Sequence, residues 1–206
     1  MIECVWKRLM ERGKLGFKIL TIALLFALAF WAFFNPKEQG LKMGDLKGLP
    51  KLEVLDLVLR AGVDLDSLLI QRLSNSPYSH IGIIIATQPL QVLHASSTDT
   101  QNKVAVSKFE YFLAHSKAIA IKRYANLQNK ERIVSYLKAQ VGKEFKLISG
   151  DDALYCTTLI EDALKQALHL NLNYDKLEMS LFSGKYLFPK AFYDDNQSVL
   201  IYEFVP

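Results

Sequence analysis

HIGIIIATQPLQVLHAS, residues 80–96, runs apolar and β-branched from Ile81 to Ile85, turns at Gln88-Pro89, and returns through a second apolar stretch. An unbroken β-branched run of this length reads as a strand buried on both faces, and a short polar break followed by a second run reads as a hairpin. The segment also carries two of the chain's four histidines. Counted from the turn, His80 lies about eight residues back and His94 five or six forward. The two imidazoles are therefore expected as near neighbours at the hairpin's open end, though not strictly opposite. A histidine at the mouth of a strand can present its ring to a cleft and take a proton from a nucleophile, while a second one fixes its tautomer. The plainer reading of each is a satisfied polar residue.

Outward from the hairpin, strands and helices alternate. VLDLVLR (54–60) and AIAIKRY (118–124) read as strands that alternate apolar and polar residues, and SVLIYEFVP at the end of the chain contains another. DLDSLLIQRL reads as a short helix with an Asp cap. In SKFEYFLAH, Ser107 and Glu110 have the spacing of a capping box, which predicts Ser107 as a helix N-cap. NKERIVSYLKAQVG (129–142) predicts an amphipathic helix closed by Gly142, and CTTLIEDALKQALHL (156–170) a second with an apolar stripe. The loops 96–105 and 171–190 carry no readable specificity signal. Paired strands among helices give an α+β class with a mainly antiparallel sheet.

Half of the 206 residues are hydrophobic, enough for one ordinary domain, and the formal charge is only +4. Lys and Arg are dispersed among Asp and Glu with no basic stripe, which argues against a nucleic-acid partner. Residues 19–35 begin with ILTIALLFALAFWAFF, free of charge, after a short basic segment (1–18). This predicts an uncleaved transmembrane anchor, followed by a polar tether (36–51) and a folded domain (52–206). The alternative, a signal peptide cut after Ala29, would leave Phe30 and Trp31 at a new N-terminus in water. Lys7, Arg8, Arg12, Lys14 and Lys18 before the span favour a cytoplasmic N-terminus, with the domain outside the inner membrane. Cys4 and Cys156 would then lie on opposite sides of the bilayer and could not pair.

Cys156 stands where a polar loop enters a helix. Unpaired N–H groups and the positive end of the helix dipole favour a thiolate there, and the same groups could hold an oxyanion. A buried, inert cysteine is the competing interpretation. Cys156, His80 and His94 could also ligate a catalytic zinc, but neither CxxC nor HxxxH spacing is present, so no metal or other cofactor is expected. His115 and His169, near helix ends, read as surface or capping residues.

Taken in order, LDLVLR, SPYSHIGIII, VLHAS, IAIKRY and VGKEFKLISGDDALYCTTLI resemble the permuted papain-like amidases. These form the YiiX/YaeF-type branch of the NlpC-like cysteine peptidases, relatives of the lecithin:retinol acyltransferases. The resemblance spans residues 52 to 204 and implies a permuted papain-like fold, with the histidine strand preceding the cysteine helix. It implies Cys156 as nucleophile, His80 as base, His94 as the orienting third residue and Tyr155 beside the oxyanion site; Asp56 matches a first-strand aspartate taken as structural. Two departures stand out: Thr157-Thr158 in place of Ser-Glu after the cysteine, and Phe145-Lys146 in place of Tyr-Asp after the glycine. The expected activity is a membrane-anchored cysteine hydrolase acting on an amide or ester, with a peptide or lipid acyl substrate in the cell envelope. The alternatives are a lipid acyltransferase and an idle binding module of the same fold.

Overall fold

A computed structural model describes residues 40–98, 101–125, 127–179 and 182–206. Its frame is a six-stranded sheet in the order β4-β3-β2-β1-β5-β8, antiparallel throughout. The strands are β1 (Leu57–Gly62), β2 (His80–Thr87), β3 (Leu90–Thr98), β4 (Gln101–Lys108), β5 (Ser116–Arg123) and β8 (Val199–Phe204). A separate hairpin pairs β6 (Asp175–Glu178) with β7 (Ser183–Tyr186). The helices are α1 (Leu65–Ser74), α2 (Phe109–Leu113), α3 (Lys130–Gln140), α4 (Cys156–Leu164) and α5 (Pro189–Asp194). Among the described residues no helix is long and apolar enough to cross a membrane. The anchor expected at 19–35 lies outside them.

The β2–β3 hairpin forms as expected, with Ile83 opposite Leu93 and Thr87 opposite Leu90. Alternation of side chains along these strands sorts the core into two layers. Leu57, Leu59, Ile81, Ile83, Leu93 and Ala95 pack on one face with Ile133 and Leu137 of α3 and Leu159, Ile160 and Ala163 of α4. Val58, Ile84, Val92, Ile119 and Ile121 pack on the other with Phe109, Phe112 and Leu113 of α2.

Three sequence expectations change. VLDLVLR was read as alternating, yet every residue of β1 is buried, because β2 and β5 flank it and both faces are covered. Residues 40–51, expected within a tether, carry Leu41 and Leu46 into the outer layer, joined there by Leu52, while Leu49 packs against it. Gly40, Gly44, Gly48 and Pro50 give the stretch the look of a tether, but its leucines pack on the sheet face that carries Val58, Ile84 and Ile121. The helix expected over 156–170 ends at Leu164; Lys165–Ala167 continue as turns, and a coil leads to the small hairpin. Asp56, just before β1, is 1% exposed; Arg123 donates to its carboxylate through Nε at 2.6 Å and Nη2 at 2.7 Å. This pair of a buried carboxylate and a half-buried guanidinium ties the start of β1 to the end of β5, a structural role.

Candidate active site

The expected site residues arrive from both faces of the sheet. Cys156 is the first residue of α4, 8% exposed, within the helix-side core. Its helix begins there because Thr158 Oγ1 accepts the Tyr155 backbone N–H at 3.0 Å, satisfying a donor at the helix entrance. Thr157 donates through Oγ1 to the Leu187 carbonyl at 2.7 Å, and the Tyr155 hydroxyl accepts the Leu187 N–H at 2.9 Å. The two threonines that depart from the family pattern thus have work to do. One starts the helix, and the other holds the loop that walls the site.

His80 opens β2 and His94 lies within β3, both on the opposite face, where each ring packs against Phe112, at centroid distances of 5.7 and 5.4 Å. His80 Nε2 and His94 Nδ1 are 3.0 Å apart, and His94 Nε2 is 3.0 Å from Ser107 Oγ. The result is a chain of three side chains, His80–His94–Ser107. Ser107 is therefore a correction to the sequence reading. It lies inside β4, opposite Val92, and α2 begins two residues later with Lys108 as its cap. Strand pairing overrides the local Ser-x-x-Glu pattern and turns the hydroxyl towards His94. Gly82 makes room for this arrangement. A Cβ there would lie 2.4 Å from Val92 Cγ1 and 3.2 Å from Phe112 Cε2, so a side chain would push away the ring on which both imidazoles rest.

The two faces meet at the mouth of β2. The backbone N–H groups of Ile81 and Thr157 both favour the thiolate of Cys156. Ile81 directly follows His80, so the sulfur lies against the backbone next to His80. Cys156, His80, Tyr155 and Thr157 line one cavity of about 320 Å³, walled by α1, the 145–147 segment, Leu177, Phe182 and residues 186–189. Burial dominates the electrostatics. It pushes the Cys156 thiol up to about 11 against those amides and against Arg60. Burial, then Arg60 and then His94 hold His80 well below the ordinary imidazole range, and burial followed by Arg60 lowers His94 to about 3. At neutral pH the resting site holds a neutral thiol beside neutral imidazoles.

Sequence reasoning missed Arg60 and Ser107. Arg60, opposite His80 in the β1–β2 register, places its guanidinium carbon 4.6 Å above the Phe112 ring. An arginine sharing a strand face with Val58 was the available signal. His115, by contrast, is a local contact, its Nδ1 2.9 Å from the Tyr111 carbonyl.

A cysteine at a helix start, served by a histidine strand that precedes it in the chain, is the permuted form of the papain-like arrangement. The chain belongs to the permuted papain-like amidase enzymes of the YaeF/YiiX, C92 family, which it matches over residues 63–202. It is thus a hydrolase of the permuted papain-like amidase class. Among solved structures it is similar to the metalloprotein yiiX from Escherichia coli O157:H7, with 18% identity, a TM-score of 0.66, and coverage of 76% of this chain and 100% of that one. At that identity the likeness is one of fold. No curated protein matched the sequence. That neighbour is described as a metalloprotein, but in this chain no three His, Cys, Asp or Glu side chains group as ion ligands among the described residues. The nearest approach of the two imidazoles is the contact between His80 Nε2 and His94 Nδ1.

Proposed function

We propose that Cys156 carries acyl transfer in this site, with His80 as base, His94 and Ser107 as the residues that orient it, and water as the acceptor. The observation that carries the reading is the convergence of the Cys156 helix start and the His80 strand mouth on one cavity. With substrate bound, the neutral His80 imidazole takes the thiol proton as sulfur attacks the carbonyl carbon. The S–C bond forms, the tetrahedral oxyanion is held by backbone N–H groups at the start of α4, and collapse expels the amine or alcohol with the proton from His80. Water then adds to the thioester with its proton passing to His80, and the carboxylic acid leaves as Cys156 recovers its proton.

A base that starts neutral does not require a preformed thiolate–imidazolium pair. His94 Nδ1 facing His80 Nε2 sets which ring nitrogen of His80 is free to work, and Ser107 fixes His94 in turn. The productive state needs a neutral His80 and a protonated thiol. Activity on an amide should therefore be level through the neutral range. It should fall in acid only well below pH 6.5, as His80 protonates, and fall in alkali near pH 11, as the thiol ionises. A pH profile of kcat/KM tests this; an acid limb at or above pH 6.5 contradicts a neutral buried base. A thiol probe tests the assignment itself: Cys156 is expected to be the labelled residue, with labelling slowed in His80→Ala. Labelling at the same rate in that variant removes His80 from the chemistry.

The location proposed for this activity is the outer side of the inner membrane, through an anchor at 19–35. Its support is the charge-free run and the basic residues before it. Full-length mass in the membrane fraction is the expected result, and a mature N-terminus at Phe30 overturns it.

A further inference from the structure

The cavity beside Cys156 holds a buried cation whose charge the Asp64 carboxylate favours from a distance, without an ion pair. Arg60 is 9% exposed. Its Nη1 donates to the Phe112 carbonyl at 3.2 Å, but its Nε has no hydrogen-bond partner, and it forms no ion pair among the described residues. The other buried cation shows how this fold ordinarily satisfies one: Lys122 donates to the carbonyls of Phe192, Tyr193 and Asp195. Asp64 and Asp66 also border the cavity, yet neither reaches ion-pair distance of Arg60. The Asp64 carboxylate is committed through Oδ1 to the Ser67 N–H at 2.7 Å.

A buried, incompletely bonded guanidinium is costly unless a ligand completes it, and its planar fork suits a carboxylate or phosphate. Burial lowers its ionisation only to about 10, so it stays charged at neutral pH. The rest of the lining is largely apolar, with Ile70, Leu73, Phe145, Phe182 and Phe188 among its side chains, so Arg60 is the charged group an anion would meet there. We propose that the site selects substrates with an anionic group on the leaving portion, close to the scissile bond, and that Arg60 binds this group. The proposal rests on the acyl-transfer reading and adds the charge of the leaving portion.

The test uses matched pairs with the purified full chain: N-dodecanoylglycine against N-dodecanoylglycinamide, and 1-dodecanoylglycerol 3-phosphate against 1-dodecanoylglycerol. The readout is the ratio of kcat/KM, anionic over neutral, within each protein, so partial unfolding of a variant cancels. A hydrogen-bonded charge of this kind is expected to favour the anionic member by about tenfold or more. Arg60→Gln and Arg60→Met should both bring the ratio near one. Preference in the first pair alone identifies a carboxylate, in the second alone a phosphate. A wild-type ratio near one in both pairs, or a preference that survives in both variants, overturns the proposal while leaving the hydrolase reading intact. Absence of Cys156-dependent turnover of all four compounds overturns both.

Discussion

The two faces of the sheet treat their polar groups differently. On the helix side, Cys156 stands in a hydrophobic core with backbone amides and the Arg60 charge to favour its anion. On the α2 side, His80, His94 and Ser107 form a continuous chain of partners around Phe112, and Arg60 joins the same ring with its bonding incomplete. Neither face contains a reaction by itself. One supplies the proposed nucleophile, which burial keeps protonated, the other the proposed base, which burial keeps neutral, and the mouth of β2 is where they meet. In the proposed reaction proton transfer therefore belongs to the moment of attack, since burial disfavours both charged forms in the resting site.

Breaking the helix side should have the largest effect. Cys156→Ser is expected to lower kcat/KM by about 10³-fold or more, measured on any ester or amide the wild type turns over. Breaking the other side at its first member, His80→Ala, should cost about 10²- to 10⁴-fold, the range of a lost general base. A smaller loss is expected for His94→Gln, about tenfold, because the base remains and only its orientation suffers. That variant also probes stability. His94 titrates near 3 in the fold and near 6.5 when unfolded, so the unfolded chain binds more protons between those values. The stability associated with neutral His94 is therefore fully present above pH 6.5 and is lost progressively as pH falls towards 3. His94→Gln should flatten the decline of Tm over that window; an unchanged slope assigns the acid sensitivity elsewhere. Ser107→Ala should cost only a few-fold in rate, because it acts on His80 through His94. A loss equal to that of His80→Ala would place Ser107 at the reacting atoms.

Much of this was legible in the residues. HIGIIIAT and LQVLHAS form the expected hairpin because β-branched runs around a Gln-Pro turn leave the chain few alternatives. The near-neighbour relation of His80 and His94 followed from counting along it. The start of α4 at Cys156 was also readable, since a polar loop gives way there to an apolar stripe. What escaped depended on partners distant in sequence. Ser107 carried a helix-cap pattern, and only pairing with β3 makes it a strand residue facing His94. Arg60 looked like the polar end of an alternating strand until the neighbours of β1 showed both of its faces covered. The leucines at 41, 46 and 52 read as part of a tether or its edge because nothing in that stretch announces the sheet face they cover. The loop 171–190 had no periodic signal, although it supplies Leu187, which Thr157 and Tyr155 hold by carbonyl and amide.

The central claim, a covalent acyl intermediate formed with His80 as base, is tested most directly by rapid acid quench during turnover of a p-nitrophenyl ester, followed by peptide mass analysis. The account predicts the acyl mass on the peptide containing Cys156, formed within the burst of the wild type and greatly slowed in His80→Ala. An acyl group on another residue, or formation on Cys156 at an unchanged rate in His80→Ala, contradicts it.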